Sequence, residues 1–216
     1  MMRKHLVLRA LCSSPLALTV LLATTSCGDV VRNGRAPVIL VINSLQGAHG
    51  NTPTNLSGFL NSDVITNLTT PPPCTTNTPC PTIFNDVGQA VLSLALKDVG
   101  TTAAPTAASS NNQVTINRVH IEYTRADGRN TPGVDVPFAF DGAVTGTVPA
   151  SGTFNLSFEL VRHVAKEESP LVQLQSSPVI ITTIARVTFY GTDLVGNEIS
   201  ATGTIQIDFG NFGDTQ

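Results

Sequence analysis

The chain has 216 residues, no tryptophan and only 12% charged residues, with 12 Lys and Arg against 15 Asp and Glu. A hydrophobic share of 41% excludes a chain disordered throughout, and the acidic balance excludes the broad basic face that phosphate binding needs, so no nucleic-acid partner is expected. Thr, Ser, Asn, Gly and Pro fill much of the rest, which favours strands joined by turns over charged helices and points to an all-β protein.

Met1 to Arg9 carries Arg3, Lys4 and Arg9, and Ala10 to Ala23 is mainly apolar, interrupted by Cys12, Ser13, Ser14 and Pro15. This is the charged region and apolar core of an export signal. A spanning helix needs roughly 20 apolar residues, and this stretch is too short and too broken for one. Thr24, Thr25, Ser26 and Cys27 follow, small residues leading to a cysteine. They resemble the lipobox of bacterial lipoproteins, with Thr24 where members of that family usually carry Leu.

The resemblance implies a signal peptide over 1–26, diacylglycerol on Cys27 as the new N-terminus, and a location in the bacterial cell envelope, lipid-anchored to a membrane and facing periplasm or exterior. An ordinary secreted protein and an uncleaved anchor are the alternatives. Two or three acyl chains hold a protein firmly to a bilayer, so 27–36, which includes "GDVVRNGRA", needs only to be a lipidated stalk. Cleavage leaves nine basic residues against 15 acidic ones, with Lys97 and Lys166 the remaining lysines.

The rest reads as a single β domain over 37–210 and a short tail, 211–216. "PVILVINSL" from Pro37 is a β-branched strand. Residues 46–61 read as a loop, and "SDVITNL" as a short strand. In "GQAVLSLALKDVG", Ala90, Leu92, Leu94 and Leu96 alternate with a lighter face. "TTAAPTAASSNNQ" is a low-complexity connection. "VTINRVHIEYTR" puts Val119, Ile121 and Tyr123 inward and Arg118, His120 and Glu122 outward as a charged ladder. "VDVPFAF" continues as an edge strand with Val134, Val136, Phe138 and Phe140 inward, since Pro137 cannot donate to a ladder. After a small-residue stretch at 142–152, "TFNLSFELV" aligns Phe154, Leu156, Phe158 and Leu160. "RHVAKEESPL" breaks the alternation and reads as a helical crossover ending near Pro170, with Arg162, Lys166, Glu167 and Glu168 as an ion-paired surface around His163.

The last piece is a hairpin, "IITTIARVTFYGTD" and "EISATGTIQIDF" around "LVGN". Asp193, Gly196 and Asn197 resemble the D-x-x-G-N turn of bacterial immunoglobulin-like and hyalin-repeat domains. This resemblance covers about 30 residues. It implies an immunoglobulin-like antiparallel β-sandwich of about seven strands with long loops, used for adhesion, spacing or display without catalysis.

Once Cys12 leaves and Cys27 carries lipid, Cys74 and Cys80 remain in "TTPPPCTTNTPCPT". Five residues separate them, and a turn brings such a pair within disulfide reach in an oxidising compartment. A redox switch or two metal ligands are the alternatives, although no histidine or second cysteine pair stands nearby to complete a zinc set.

No G-x-S-x-G elbow and no H-E-x-x-H motif occurs. His49, His120 and His163 are scattered and read as solvated side chains. Asp127, Asp141, Asp193 and Asn197 sit in expected turns, where Asp and Asn serve the backbone more often than calcium. Asn55, Asn67 and Asn155 fall in N-x-S/T triplets that carry no meaning in a bacterial lipoprotein. The reading is therefore a non-enzymatic envelope lipoprotein without a cofactor or metal, acting as a structural or interaction module with an envelope protein partner. Its recognition surface is expected in loops 46–61, 69–83 and 98–112. A carbohydrate- or small-ligand-binding domain is the alternative.

Overall fold

The computed structural model describes residues 35–213. The signal peptide, Cys27 and nearly all of the stalk lie outside the described residues, as do the last three residues of the tail.

The described chain is mostly strand, so the protein is all-β. Strand β1 (Val38–Ala48) begins the expected β-branched run and continues into the expected loop. β2 (Phe59–Asp63) and β3 (Thr66–Leu68) divide the short strand expected there, with β4 (Cys80–Thr82) and β5 (Asp86–Leu96) next. The low-complexity connection holds the exposed two-residue strands β6 (Gly100–Thr101) and β7 (Ala104–Pro105). β8 (Val114–Thr124), β9 (Phe140–Val148) and β10 (Thr153–Val161) follow. The crossover forms helix α1 (His163–Glu167) and a 3-10 turn at Leu171–Ser176. β11 (Ile181–Asp193) and β12 (Glu198–Gly210) make the final hairpin.

One sheet runs β1-β5-β10 and the other β2-β12-β11-β8-β9, while β3-β4 and β6-β7 form two small ribbons. The two large sheets thus hold one strand more than the expected seven or so. Nor is the arrangement wholly antiparallel, because β2 lies parallel to β12, with Leu60 opposite Ile207. After β1 has paired with β5, the chain leaves that sheet and joins the far edge of the other.

Inward rows from both sheets form one core. Ala90 and Leu92 of β5, Leu156, Phe158 and Leu160 of β10, Val119, Ile121 and Tyr123 of β8, and Val187 and Phe189 of β11 are all buried. Leu94, Leu96 and Phe154 are partly buried against it. Phe158 meets Phe189 edge to face across the sheets, at 5.2 Å between ring centroids, a geometry that suits the aromatic quadrupole. The Tyr123 hydroxyl donates to the Leu160 carbonyl oxygen at 2.8 Å, also between sheets. Burial, reinforced by the charge of Asp86, pushes that phenol far above its ordinary pKa.

Two expectations around residue 140 are corrected. "VDVPFAF" is not a strand with four inward residues: the Thr131 carbonyl oxygen accepts from the backbone N–H of Val134 and Asp135 at 3.1 and 2.8 Å, curling the chain. Val136 and Phe140 are buried, but Val134 and Phe138 are 66% and 51% exposed. The small-residue stretch at 142–152, to which no strand was assigned, supplies most of β9. Its glycines make room for neighbours, since a Cβ on Gly146 would lie 2.4 Å from the Phe154 ring. Small residues there reflect packing rather than turning.

Candidate functional site

The hairpin turn after β11 is organised by one carboxylate. Asp193 accepts hydrogen bonds on Oδ1 from the backbone N–H of Val195 and Asn197, at 3.0 and 2.8 Å, and on Oδ2 from Asn197 Nδ2 at 2.8 Å. Gly196, at φ +85°, takes the left-handed position that a side chain would strain. All three motif residues are thus engaged in holding the turn. Cys74 and Cys80 form a disulfide with their Cα atoms 5.3 Å apart, at the margin of the β3-β4 ribbon.

The charged ladder lies on the outer face of the five-stranded sheet. Asp141, expected in a turn, stands in β9 opposite His120, and it accepts from Arg118 Nη1 at 2.8 Å and lies 3.2 Å from His120 Nδ1. The Arg118 hydrogen bond holds the Asp141 carboxyl below its ordinary pKa. Arg186 pairs with Glu122 at 3.2 Å. At the edge of this ladder Ile116 and Val119 both point inward, because the register of β8 shifts beside Asn117. A bulge of this kind redirects side chains. Gly191 faces it, and a Cβ there would lie 2.5 Å from the Thr115 carbonyl oxygen. The result is a groove of about 450 Å³ lined by Asn117, Arg118, Tyr190, Glu198 and Ser200 among others. Arg118 lies over the Tyr190 ring, 3.7 Å from its centroid, and occupies the face on which a sugar ring could stack.

A second polar site lies inside the protein. Lys166, expected on an ion-paired surface, is fully buried with Asp86, and its Nζ is 2.8 Å from Asp86 Oδ2. Helix α1 is short and packs this one side chain inward, leaving His163 and Glu167 exposed. Nζ also donates to the Asp63 carbonyl oxygen at 2.9 Å. Ser62 Oγ donates to Asp86 Oδ2 at 2.5 Å, and the Gly50 N–H donates to Oδ1 at 3.1 Å.

The Asp63 carboxylate is held by Thr66 Oγ1 at 2.9 Å and the Phe212 N–H at 3.1 Å. Burial pulls the Lys166 pKa below its ordinary value, against the opposing pull of Asp86 and Asp63. His49, expected to be solvated, has only 17% of its side chain exposed, and its Nε2 is buried 3.8 Å from Asp86 Oδ1. His163 is exposed as expected, with its Nδ1 2.8 Å from Asn85 Oδ1.

Local sequence does not single out this interior group. Two signals were present: the alternation of β5 extends back through Gly88 to Asp86, and Leu60 and Ser62 share one face of β2. For Lys166 there was no such signal. Among the described residues, no group of three or more His, Cys, Asp or Glu is placed to hold a metal ion, and no helix is long and apolar enough to cross a membrane.

A third feature is apolar and exposed. Val134, Val179 and Ile180 line a groove between the 131–136 loop and the segment leading into β11, with Pro170 and Leu174 in its wall and Arg125 and Arg129 at its margin. The three leading residues are 53 to 66% exposed. Arg125 and Arg129 converge on Asp127 at 2.7 Å, and the Arg129 hydrogen bond takes that carboxyl down to about 2.

No protein-family model matches the chain, and no curated protein matches it. Among solved structures, the chain is similar to one described as the X-ray structure of Northeast Structural Genomics Consortium target SoR45, at 10% identity and a TM-score of 0.34, covering 79% of this chain and 86% of that one. A likeness of that degree carries no argument about fold family or activity.

Proposed function

We propose that this is a cell-envelope lipoprotein, anchored through diacylglycerol on Cys27, whose immunoglobulin-like sandwich serves as a non-catalytic module for contact with another envelope protein. The observation that carries the interaction role is the apolar groove of Val134, Val179 and Ile180. Exposed apolar clusters bounded by arginine are suited to protein contacts. The groove lies away from the loops in which recognition was expected.

The strand connectivity supports the immunoglobulin-like reading. A first strand pairs in one sheet, its continuation joins the other in parallel with the last strand, and the order β12-β11-β8-β9 completes the larger sheet. The non-catalytic reading rests on the sealing of the Lys166–Asp86 group from solvent, which denies a diffusing substrate access. Recognition of a small polar ligand in the Asn117–Ser200 groove is the second reading, favoured by the bulge that opens it.

Membrane fractionation with metabolic acyl labelling tests the anchor. The full chain is expected in membranes with label, and Cys27→Ser in the soluble fraction without it; a labelled or membrane-retained Cys27→Ser chain contradicts the anchor. In-cell crosslinking tests the partner. A discrete crosslinked species lost in Val134→Asp/Val179→Asp supports the groove, whereas the same species in that variant moves the contact elsewhere.

A further inference from the structure

We propose that Lys166 and Asp86 condense into an intramolecular amide, an isopeptide bond between Lys166 Nζ and Asp86 Cγ, with release of one water. The two groups are fully buried and in direct contact, with Nζ 2.8 Å from Oδ2, so the amine is held beside the carboxyl group whose carbon it would attack.

Each oxygen of Asp86 has a separate environment. Oδ1 accepts from the Gly50 N–H at 3.1 Å. Oδ2 receives the Ser62 hydroxyl at 2.5 Å as well as the lysine. On Nζ, the Asp63 carbonyl oxygen takes another N–H at 2.9 Å, which fixes the direction of the amine. His49 adds a further donor: its Nδ1 accepts from the Asn51 N–H at 3.3 Å, which leaves the proton on Nε2, 3.8 Å from Oδ1 and without a hydrogen-bond partner among the described residues.

The step balances without any added reagent. One proton passes from the Lys166 ammonium to the Asp86 carboxylate along the short contact, giving a neutral amine and a neutral acid. Burial lowers the Lys166 pKa, which favours release of that proton. The Nζ lone pair then attacks Cγ and the new C–N bond forms. Charge developing on Oδ1 meets the Gly50 N–H, in the manner of an oxyanion hole. The C–Oδ2 bond breaks, and Oδ2 departs as water carrying its own proton and a second proton from nitrogen.

The product is a neutral amide whose carbonyl oxygen keeps the Gly50 hydrogen bond. Exclusion of water from the site disfavours the reverse hydrolysis. The bond would tie the crossover after β10 to the start of β5, closing a long loop through the core and fixing the fold against unfolding under load.

Intact mass spectrometry of the folded full chain, after reduction of the disulfide and denaturation, reads the result directly. The expected mass is lower than that of the processed sequence by one water, and a protease digest yields a branched peptide that joins the Lys166 and Asp86 segments and resists cleavage after Lys166. Lys166→Met is expected without this loss of water. A folded wild-type chain that shows no loss of water against its processed mass, with two linear peptides in place of the branched one, overturns the proposal, and that measurement stands whether or not the variant folds.

Discussion

Asp141 on the outer face and Asp86 in the interior each stand 2.8 Å from a basic side-chain nitrogen, yet they lie on opposite sides of the solvent boundary. On the face, water screens Arg118 and Asp141, and both side chains surrender rotamer freedom to stay together, so the pair contributes little to stability. Inside, neither Lys166 nor Asp86 has any solvent to fall back on, and each depends on the other. Equal distances therefore conceal unequal dependence. The interior pair is a structural commitment, while the face pair is replaceable.

Cutting one side of the interior pair breaks this comparison most severely. Asp86→Ala and Lys166→Met each remove one side of the interior pair, and with it the amide, and are each expected to cost about 3–5 kcal/mol in urea denaturation. A loss under about 1 kcal/mol would mean that water reaches the site, as it does at ordinary surface pairs.

Tyr123 sharpens the contrast with a neutral contact in the same interior. Tyr123→Phe is expected to lose about 1–2 kcal/mol at pH 7, for its hydrogen bond to Leu160. Because the folded phenol keeps its proton when an unfolded one ionises near pH 10, the tyrosine contribution falls as pH rises beyond that point. The gap between the two proteins should then narrow in alkaline denaturation curves. A constant gap would show that burial does not hold the proton.

Substitution at the face marks the lower end. Asp141→Ala is expected to leave the denaturation midpoint almost unmoved, and added salt should shrink even that difference. The smallest effect concerns acid. The exposed carboxyls of Asp127 and Asp141 have folded pKa values below their unfolded ones, so what they contribute is present above the ordinary carboxylate range. It is lost as pH falls through the folded values, about 2 for Asp127. Wild type and Asp127→Asn should differ slightly at pH 5 and converge toward pH 2; a difference that grows in acid would reverse the sign.

The same boundary governs how much could be read from sequence. Elements with one wet and one dry face announced themselves, since the alternation of β8 and β10 assigns Ile121, Tyr123, Leu156 and Phe158 inward, as found. The hairpin turn was legible too, because Asp, Gly and Asn perform backbone work that depends only on near neighbours. The stretch that became β9 was not: Gly142 and Gly146 are small because Val119 and Phe154 press against them from other strands. Lys166 was read backwards. A lysine among Arg162, Glu167 and Glu168 is chemically suited to water, and only the distant residues Asp63 and Asp86, from two other strands, give it reason to turn inward. The apolar groove escaped for a related reason, since Val134 lies in an alternating run that a local curl exposes.

Parallel double-mutant cycles on Lys166–Asp86 and Arg118–Asp141 test the central contrast most directly. A coupling of at least about 2 kcal/mol is expected for the interior pair and one near zero for the face pair in high salt. Similar couplings for the two, or a larger one on the face, would contradict it.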